Sequence, residues 1–206
     1  MPSKPPDFAE IFDTDAVDIA SRLIGWTFAV GGTSGMIVET EAYTLADPAS
    51  HSFKGETKRN KSMFGPPGRA YVYRIYGLHW CMNIVCSRGS AVLIRALEPL
   101  NGLDEMKRRR QSEDVASLCS GPAKLAQALG ITGDLDGLRL DRMPFRLEPC
   151  QREMRVVTGC RIGISRAVDF PWRFCLEGSR FLSRPVKTVV RSKGSRLDAD
   201  MPDAKS

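Results

Sequence analysis

The stretch Met36-Ile37-Val38-Glu39-Thr40-Glu41-Ala42-Tyr43 reads as a β-strand. Side chains alternate across a strand, so Glu39, Glu41 and Tyr43 share one face and Val38, Thr40 and Ala42 the other. Two carboxylates beside a tyrosine are costly in an apolar core, so the first face is expected to line water or a cleft. Two readings fit: a solvated strand face, or a cleft in which one carboxylate acts as general base on a water. Working outward, residues 26–30 form a preceding strand and Gly31-Gly32 a turn, which makes a hairpin. Before it, residues 15–24 carry a helical apolar stripe, capped by Asp13, Thr14 or Asp15 and stopped at Gly25. After it, residues 44–68 are polar and rich in Gly and Pro, and an irregular segment of that length is usually functional.

Further strands are expected over 70–76, 79–86 and 91–97, the first two joined around Gly77. Helices are expected over 102–110 and 120–129, the second with Ser120 as cap, Pro122 in its first turn and Gly130 at its end. Short strands should recur around 139–140, 156–165 and 180–181, and the chain beyond residue 191 reads as a polar, frayed tail. Tyr71, Tyr73 and Tyr76 crowd next to Arg69 and Arg74, which suits either a core or a surface that stacks on nucleobases. Tyr76 before Gly77 falls at a hairpin tip, where a core role is hard to sustain. Arg95 interrupts the apolar run Ala91-Val92-Leu93-Ile94 and must find an ion partner or face a cleft.

The 206 residues are 42% hydrophobic and 26% charged, enough for one domain or a tightly joined pair. No apolar run approaches the ~20 residues that span a bilayer, so a membrane protein is excluded, as are collagen-like and wholly disordered chains. The N-terminus has no apolar segment of the secretory kind. The six cysteines include no C-x-x-C pair, and the two histidines, His51 and His79, offer no zinc spacing. Reduced thiols in a cytosolic compartment are expected. The formal net charge of +6 is unevenly spread. Residues 1–50 carry 2 basic and 8 acidic side chains, whereas residues 51–110 carry 12 and 4. The basic centre suits either a solvated face or a polyanion partner.

Several motifs together resemble the alkyladenine (3-methyladenine) DNA glycosylases. They are Ile37 to Tyr43, Asp47-Pro48-Ala49-Ser50-His51, Thr57 to Gly68, Tyr71 to Asn83, Ala91 to Pro99, Ser120-Gly121-Pro122 and Pro171-Trp172-Arg173-Phe174. They occur in order across roughly residues 8–186. The resemblance implies an α+β fold: a single compact domain over residues 1–190, with a curved antiparallel sheet flanked by helices. It also implies a protruding hairpin that enters the DNA minor groove, with residues 191–206 as a disordered tail.

The function it implies is repair of double-stranded DNA: flipping and hydrolytic excision of alkylated purines, with deaminated purines as a further candidate class, leaving an abasic site. Glu41 matches the general base and Arg95 the arginine beside the attacking water, which also holds a phosphate. Tyr43, His51 and Tyr73 match the aromatic pocket around the flipped base, and Asn83 the residue that crowds the amino group of guanine. Tyr76 matches the wedge that fills the gap left in the duplex. Lys58, Arg59, Lys61 and Arg74 are expected on the DNA backbone. No lysine matches a Schiff-base nucleophile, so the enzyme is expected to be monofunctional. No metal or organic cofactor is implied, and the expected state is a monomer without membrane contact. The expected location is the bacterial cytoplasm with the nucleoid, or the nucleus in a eukaryote. The segment between Tyr43 and His51 is one residue shorter than the family pattern and carries Leu45 where a glycine is usual. Two competing readings remain at this point: a lesion-binding protein that does not cut, and a hydrolase of another anionic N-glycoside.

Overall fold

A computed structural model describes residues 7–186. The expected tail, 191–206, lies outside the described residues. The expected hairpin forms from β1 (Thr27–Val30) and β2 (Thr33–Tyr43), which is three residues longer at its start than the alternation suggests. β2 becomes the central strand. Its first half pairs with β1 and its second half, Glu39 to Glu41, with a late strand, β8 (Arg173–Leu176). Along its other edge runs β5 (Ala91–Asn101), then β4 (His79–Val85) and β3 (Ala70–Ile75). β6 (Phe145–Glu148) pairs with β1, and β7 (Val156–Gly159) with β8. Among the described residues all eight strands join one antiparallel sheet, and it curls into a half-barrel.

The ladder between the two longest strands carries an irregularity that favours a curl. Between β2 and β5 the register holds from Gly35 to Ile37 and again from Thr40 to Tyr43 but shifts at Glu39, so that Glu39 faces Ala96 and both Val38 and Arg95 drop out of the ladder. Such irregularities bend a strand and re-aim its side chains. At the start of β2, Gly35 passes so close to β5 that an added Cβ would lie 2.8 Å from the Glu98 carbonyl oxygen.

Helices pack against the sheet, Ala16–Arg22 on β2 and β5 and Pro122–Leu129 on β4 and β5. α1 (Phe8–Phe12) was not signalled by periodicity, being too short to show one. α2 (Ala16–Arg22) starts where Asp15 accepts the Val17 N–H at 2.8 Å. It buries Ile19 and Ala20, and Thr40 Oγ1 ties it to β2 by donating to the Ala20 carbonyl at 2.7 Å. α3 (Leu103–Arg110) and α4 (Pro122–Leu129) pack together. Gly121, not Ser120, caps α4; the Ser120 hydroxyl instead donates to the Ser117 carbonyl and accepts from Lys124. The basic run at the end of α3 serves this packing. Arg109 and Arg110 reach the Ala128 carbonyl and the Gln127 side chain, and Glu105 binds Arg108 and Arg109. Part of the basic centre, Arg109 and Arg110, is therefore taken up within the fold.

Other expectations are revised. The strand over 156–165 stops at Gly159, residues 180–181 form a turn, and 139–140 contribute only one isolated bridge, Arg69 to Arg139. β6 and β8 stand in their place. No described helix is long and apolar enough to cross a membrane.

Candidate active site

Glu39 and Glu41 are both 0% exposed, so the face they share is not the solvated surface or open cleft wall that alternation predicts. Two arginines make this possible. Arg95 Nε lies 2.9 Å from Glu39 Oε1, and its Nη1 3.2 Å from Glu41 Oε2. Arg173, on β8, places its Nε 2.8 Å from the same Glu39 oxygen. The Ser183 N–H and hydroxyl complete the shell of Glu39 at 2.6 and 2.7 Å. The ion-partner alternative for Arg95 is therefore realised, while the side chain also lines a cavity.

The two carboxylates differ in what compensates their burial. Burial raises the pKa of Glu39, but Arg95, Arg173 and the Ser183 N–H more than offset it and hold the group below the usual carboxylate range. Burial also raises Glu41, and here it wins over the opposing effects of Arg95, the Ile162 N–H and the Tyr43 hydroxyl. The Ile162 N–H donates to Glu41 Oε1 at 2.7 Å and the Tyr43 hydroxyl to Oε2 at 2.8 Å. Counting Arg95, three donors occupy a carboxylate with about four acceptor sites, which leaves one for a further donor.

In front of this carboxylate lies a cavity of about 550 Å³. Its walls include Tyr43, His51, Tyr73, Tyr76, Asn83 and Arg95, so six expected site residues converge on one space. Glu41 itself does not line the cavity, whereas Tyr43, Arg95 and Ile162, which supply its three hydrogen bonds, do. The His51 and Tyr73 rings touch edge to face, with centroids 4.5 Å apart at 73°, so a planar base does not fit between those two. The His51 Nδ1 sits 2.8 Å from the Tyr71 hydroxyl, which fixes the ring. Packing against these tyrosines lowers the imidazole pKa, and the Arg59 guanidinium adds to the shift. Asn83 is held in β4 by donating to the Tyr71 carbonyl at 3.0 Å.

His51 is delivered by the irregular segment after β2, which is ordered by buried polar groups. Asn60 donates to the carbonyls of His51 and Gly55 at 2.8 and 3.1 Å and accepts the Thr57 N–H at 2.6 Å. Leu45, at the shortened part of this segment, is about half exposed and leans over Gly89.

At the β3–β4 hairpin Tyr76 and Gly77 both have positive φ, 52° and 68°, and the Leu78 N–H closes the turn on the Ile75 carbonyl at 3.1 Å. Positive φ at both central residues is the primed-turn geometry that matches strand twist. The turn leaves Tyr76 83% and Leu78 71% exposed. Lys58, Arg59, Lys61 and Arg74 are all exposed and do not line the main cavity. Arg59 donates to the Arg74 carbonyl, and the Arg74 guanidinium covers Trp80 at 5.3 Å.

Four contributors escaped sequence reading: the Ile162 N–H, the Ser183 pair of donors, Arg173 beside Glu39, and a buried ion pair of Arg161 with Asp47. A backbone donor carries no residue signature, and Arg161 lies within a run that alternation assigns to a strand.

Residues 10–180 match the family of methylpurine-DNA glycosylases. An Agrobacterium fabrum protein described as "Putative 3-methyladenine DNA glycosylase" is 57% identical over 190 residues, covering 92% of this chain and 97% of its own. A Nitrosospira multiformis protein of the same description is 56% identical over 179 residues, 85% of this chain and 93% of its own. One from Rhodopseudomonas palustris strain HaA2 is 54% identical over 186 residues, 89% and 92% of the two chains. The family expected from the motifs is the family found: the chain belongs to the methylpurine-DNA glycosylases, a family of DNA-repair enzymes.

Proposed function

We propose that residues 1–190 act as one monomeric domain that removes 3-methyladenine and related alkylated purines from duplex DNA by hydrolysis, leaving an abasic site. The observation that carries this reading is the state of Glu41. It is a buried carboxylate with one acceptor position left, set behind a cavity walled by aromatic rings.

In this reading the target nucleotide leaves the stack, because its glycosidic bond is out of reach inside the duplex. Tyr76 enters the vacated space from the exposed hairpin tip. The base rests against Tyr43 on one side and the joined His51–Tyr73 wall on the other, and π faces favour the positive charge of an alkylated purine. Asn83 crowds the amino group that distinguishes guanine. A cationic base leaves as a neutral molecule when the N-glycosidic electron pair moves onto it, so its departure needs no general acid. Glu41 takes a proton from a water whose oxygen bonds to C1′, and its negative charge stabilises the oxocarbenium-like transition state. Arg95 orients Glu41 and that water. Deaminated purines, being neutral, would bind the same walls more weakly. Lys58, Arg59, Lys61 and Arg74 supply phosphate contacts. In this reading the activity works in the bacterial cytoplasm at the nucleoid, a location that the bacterial origin of the relatives supports.

A lesion binder without activity would have no use for a buried carboxylate beside the pocket, which costs stability. The test is base release from duplexes containing 3-methyladenine, 7-methylguanine, hypoxanthine or 1,N6-ethenoadenine, with abasic sites revealed by alkali. Alkylated bases should be released, the strand should stay intact until alkali is added, and duplex affinity should fall steeply with salt. Lesion binding without release would establish the binder instead, and a flat salt response would contradict the DNA reading.

A further inference from the structure

Behind Tyr43 lies a second buried charge pair that the reaction above does not use. Arg161 follows β7, Asp47 belongs to the segment leading to His51, and both side chains are 0% exposed. The Asp47 carboxylate accepts from Nη1 and Nη2 of Arg161. Nη1 also donates to the Ala42 carbonyl at 2.9 Å and Nη2 to the Ala167 carbonyl at 3.4 Å. The guanidinium carbon sits 4.7 Å from the centre of the Tyr43 ring and 5.1 Å from that of Trp172. Tyr43 lines the cavity and Arg161 does not, which fits a guanidinium on the ring face turned away from the cavity.

This arrangement carries a conflict. A cation against one face of a ring draws on the same π electrons that the other face offers, and it repels a second cation directly across the ring. Left alone, Arg161 would therefore make Tyr43 a poor support for a positively charged base. Asp47 removes the conflict, because the pair behind the ring has no net charge.

We propose that Asp47 is a specificity-determining residue: by neutralising Arg161 behind Tyr43, it lets the pocket prefer positively charged purines over neutral ones of the same shape. The inference rests on the reading of Tyr43 as a wall of the base pocket. Asp47 also has a local structural duty. Its Oδ1 accepts the Ala49 N–H at 2.9 Å and its carbonyl the Ser50 N–H at 2.9 Å, shaping the turn toward His51. A purely structural role affects cationic and neutral bases alike, whereas the electrostatic role changes their ratio.

The test uses two duplexes, one with 7-methylguanine on a 2′-fluorinated sugar that resists cleavage, the other with its neutral isostere 7-deaza-7-methylguanine on the same sugar. The readout is the ratio of the two Kd values measured on one protein sample, which does not depend on the folded fraction. Wild type should favour the cation. In Asp47→Asn the preference should fall about three- to tenfold. In the double variant Asp47→Asn, Arg161→Met, which carries neither charge, it should return to near the wild-type value. Because Asp47→Asn strands a buried cation, Asp47→Ser, which leaves room for water beside Arg161, is a second single variant and should shift the ratio the same way. An unchanged ratio in the folded single variants, with wild type still favouring the cation, overturns the role of Asp47 alone. A wild type that binds both duplexes equally overturns the aromatic-pocket reading and this inference with it.

Discussion

Arg95 and Glu41 meet inside the protein, with Arg95 Nη1 3.2 Å from Glu41 Oε2 and Glu41 fully removed from solvent. The contact lies where the β2–β5 ladder is interrupted, so the irregular register and the ion pair are parts of one arrangement. Arg95 is shared with Glu39, and that sharing leaves the charge of Glu41 only partly compensated.

A pH dependence follows. A general base works only when deprotonated, and burial raises the Glu41 pKa above the ordinary carboxylate value. The excision rate should therefore fall with acidification at a higher pH than a free glutamate would give. Arg95→Ala removes an attraction that favours the carboxylate, so it should lower the plateau and move the acid limb further up. Single-turnover rates across the acid range check both shifts; an acid limb unmoved by Arg95→Ala contradicts the coupling.

Glu39 should behave in the opposite way. Its pKa is lowered in the fold, so its contribution to stability is present above the unfolded carboxyl pKa and lost as pH falls through the folded value. Glu41, with a raised pKa, contributes at low pH and loses that contribution as pH rises through its folded value. Glu39→Gln leaves Arg95 and Arg173 short of a buried anion, which typically costs about 3–5 kcal/mol. Denaturant unfolding of this variant should show that loss near neutrality and a weaker fall in stability on acidification.

Tyr76 tests the division of labour between fold and DNA contact. It is 83% exposed, so Tyr76→Ala should change stability by no more than about 0.5 kcal/mol. Loss of a stacking wedge worth about 1–3 kcal/mol should weaken lesion-duplex binding roughly tenfold. Binding isotherms and thermal melts of the same preparation separate the two; undiminished binding and excision would remove the wedge from the account.

Strand pairing was the most legible level of this chain. The alternation over 36–43 and the turn chemistry of Tyr76-Gly77 led to the right hairpin neighbours, and the apolar run from Ala91 to a strand, because each signal is local. β8 was not legible: Arg173-Phe174-Cys175-Leu176 begins with an arginine whose burial depends on Glu39, 134 residues earlier. Asp47 and Arg161 are separated by 114 residues, and neither has a local pattern that names the other. Alternation also set Glu39 and Glu41 on one face without distinguishing them. Only the assembled sheet does so, by giving Glu39 two arginines and the Ser183 donors and Glu41 one arginine, a tyrosine and a backbone N–H. Of the expected face, Tyr43 does line the cavity, but Glu39 and Glu41 are buried behind it, since the compensating cations come from distant strands.

The most direct measurement of the central claim is single-turnover release of 7-methylguanine from duplex DNA by wild type and Glu41→Gln, with lesion binding measured in parallel. Glutamine keeps the shape of the side chain and removes the base. The account predicts bound lesion and a release rate at least about a hundredfold lower, in line with the loss of general-base catalysis. A variant that binds as wild type and releases the base at the same rate would contradict it.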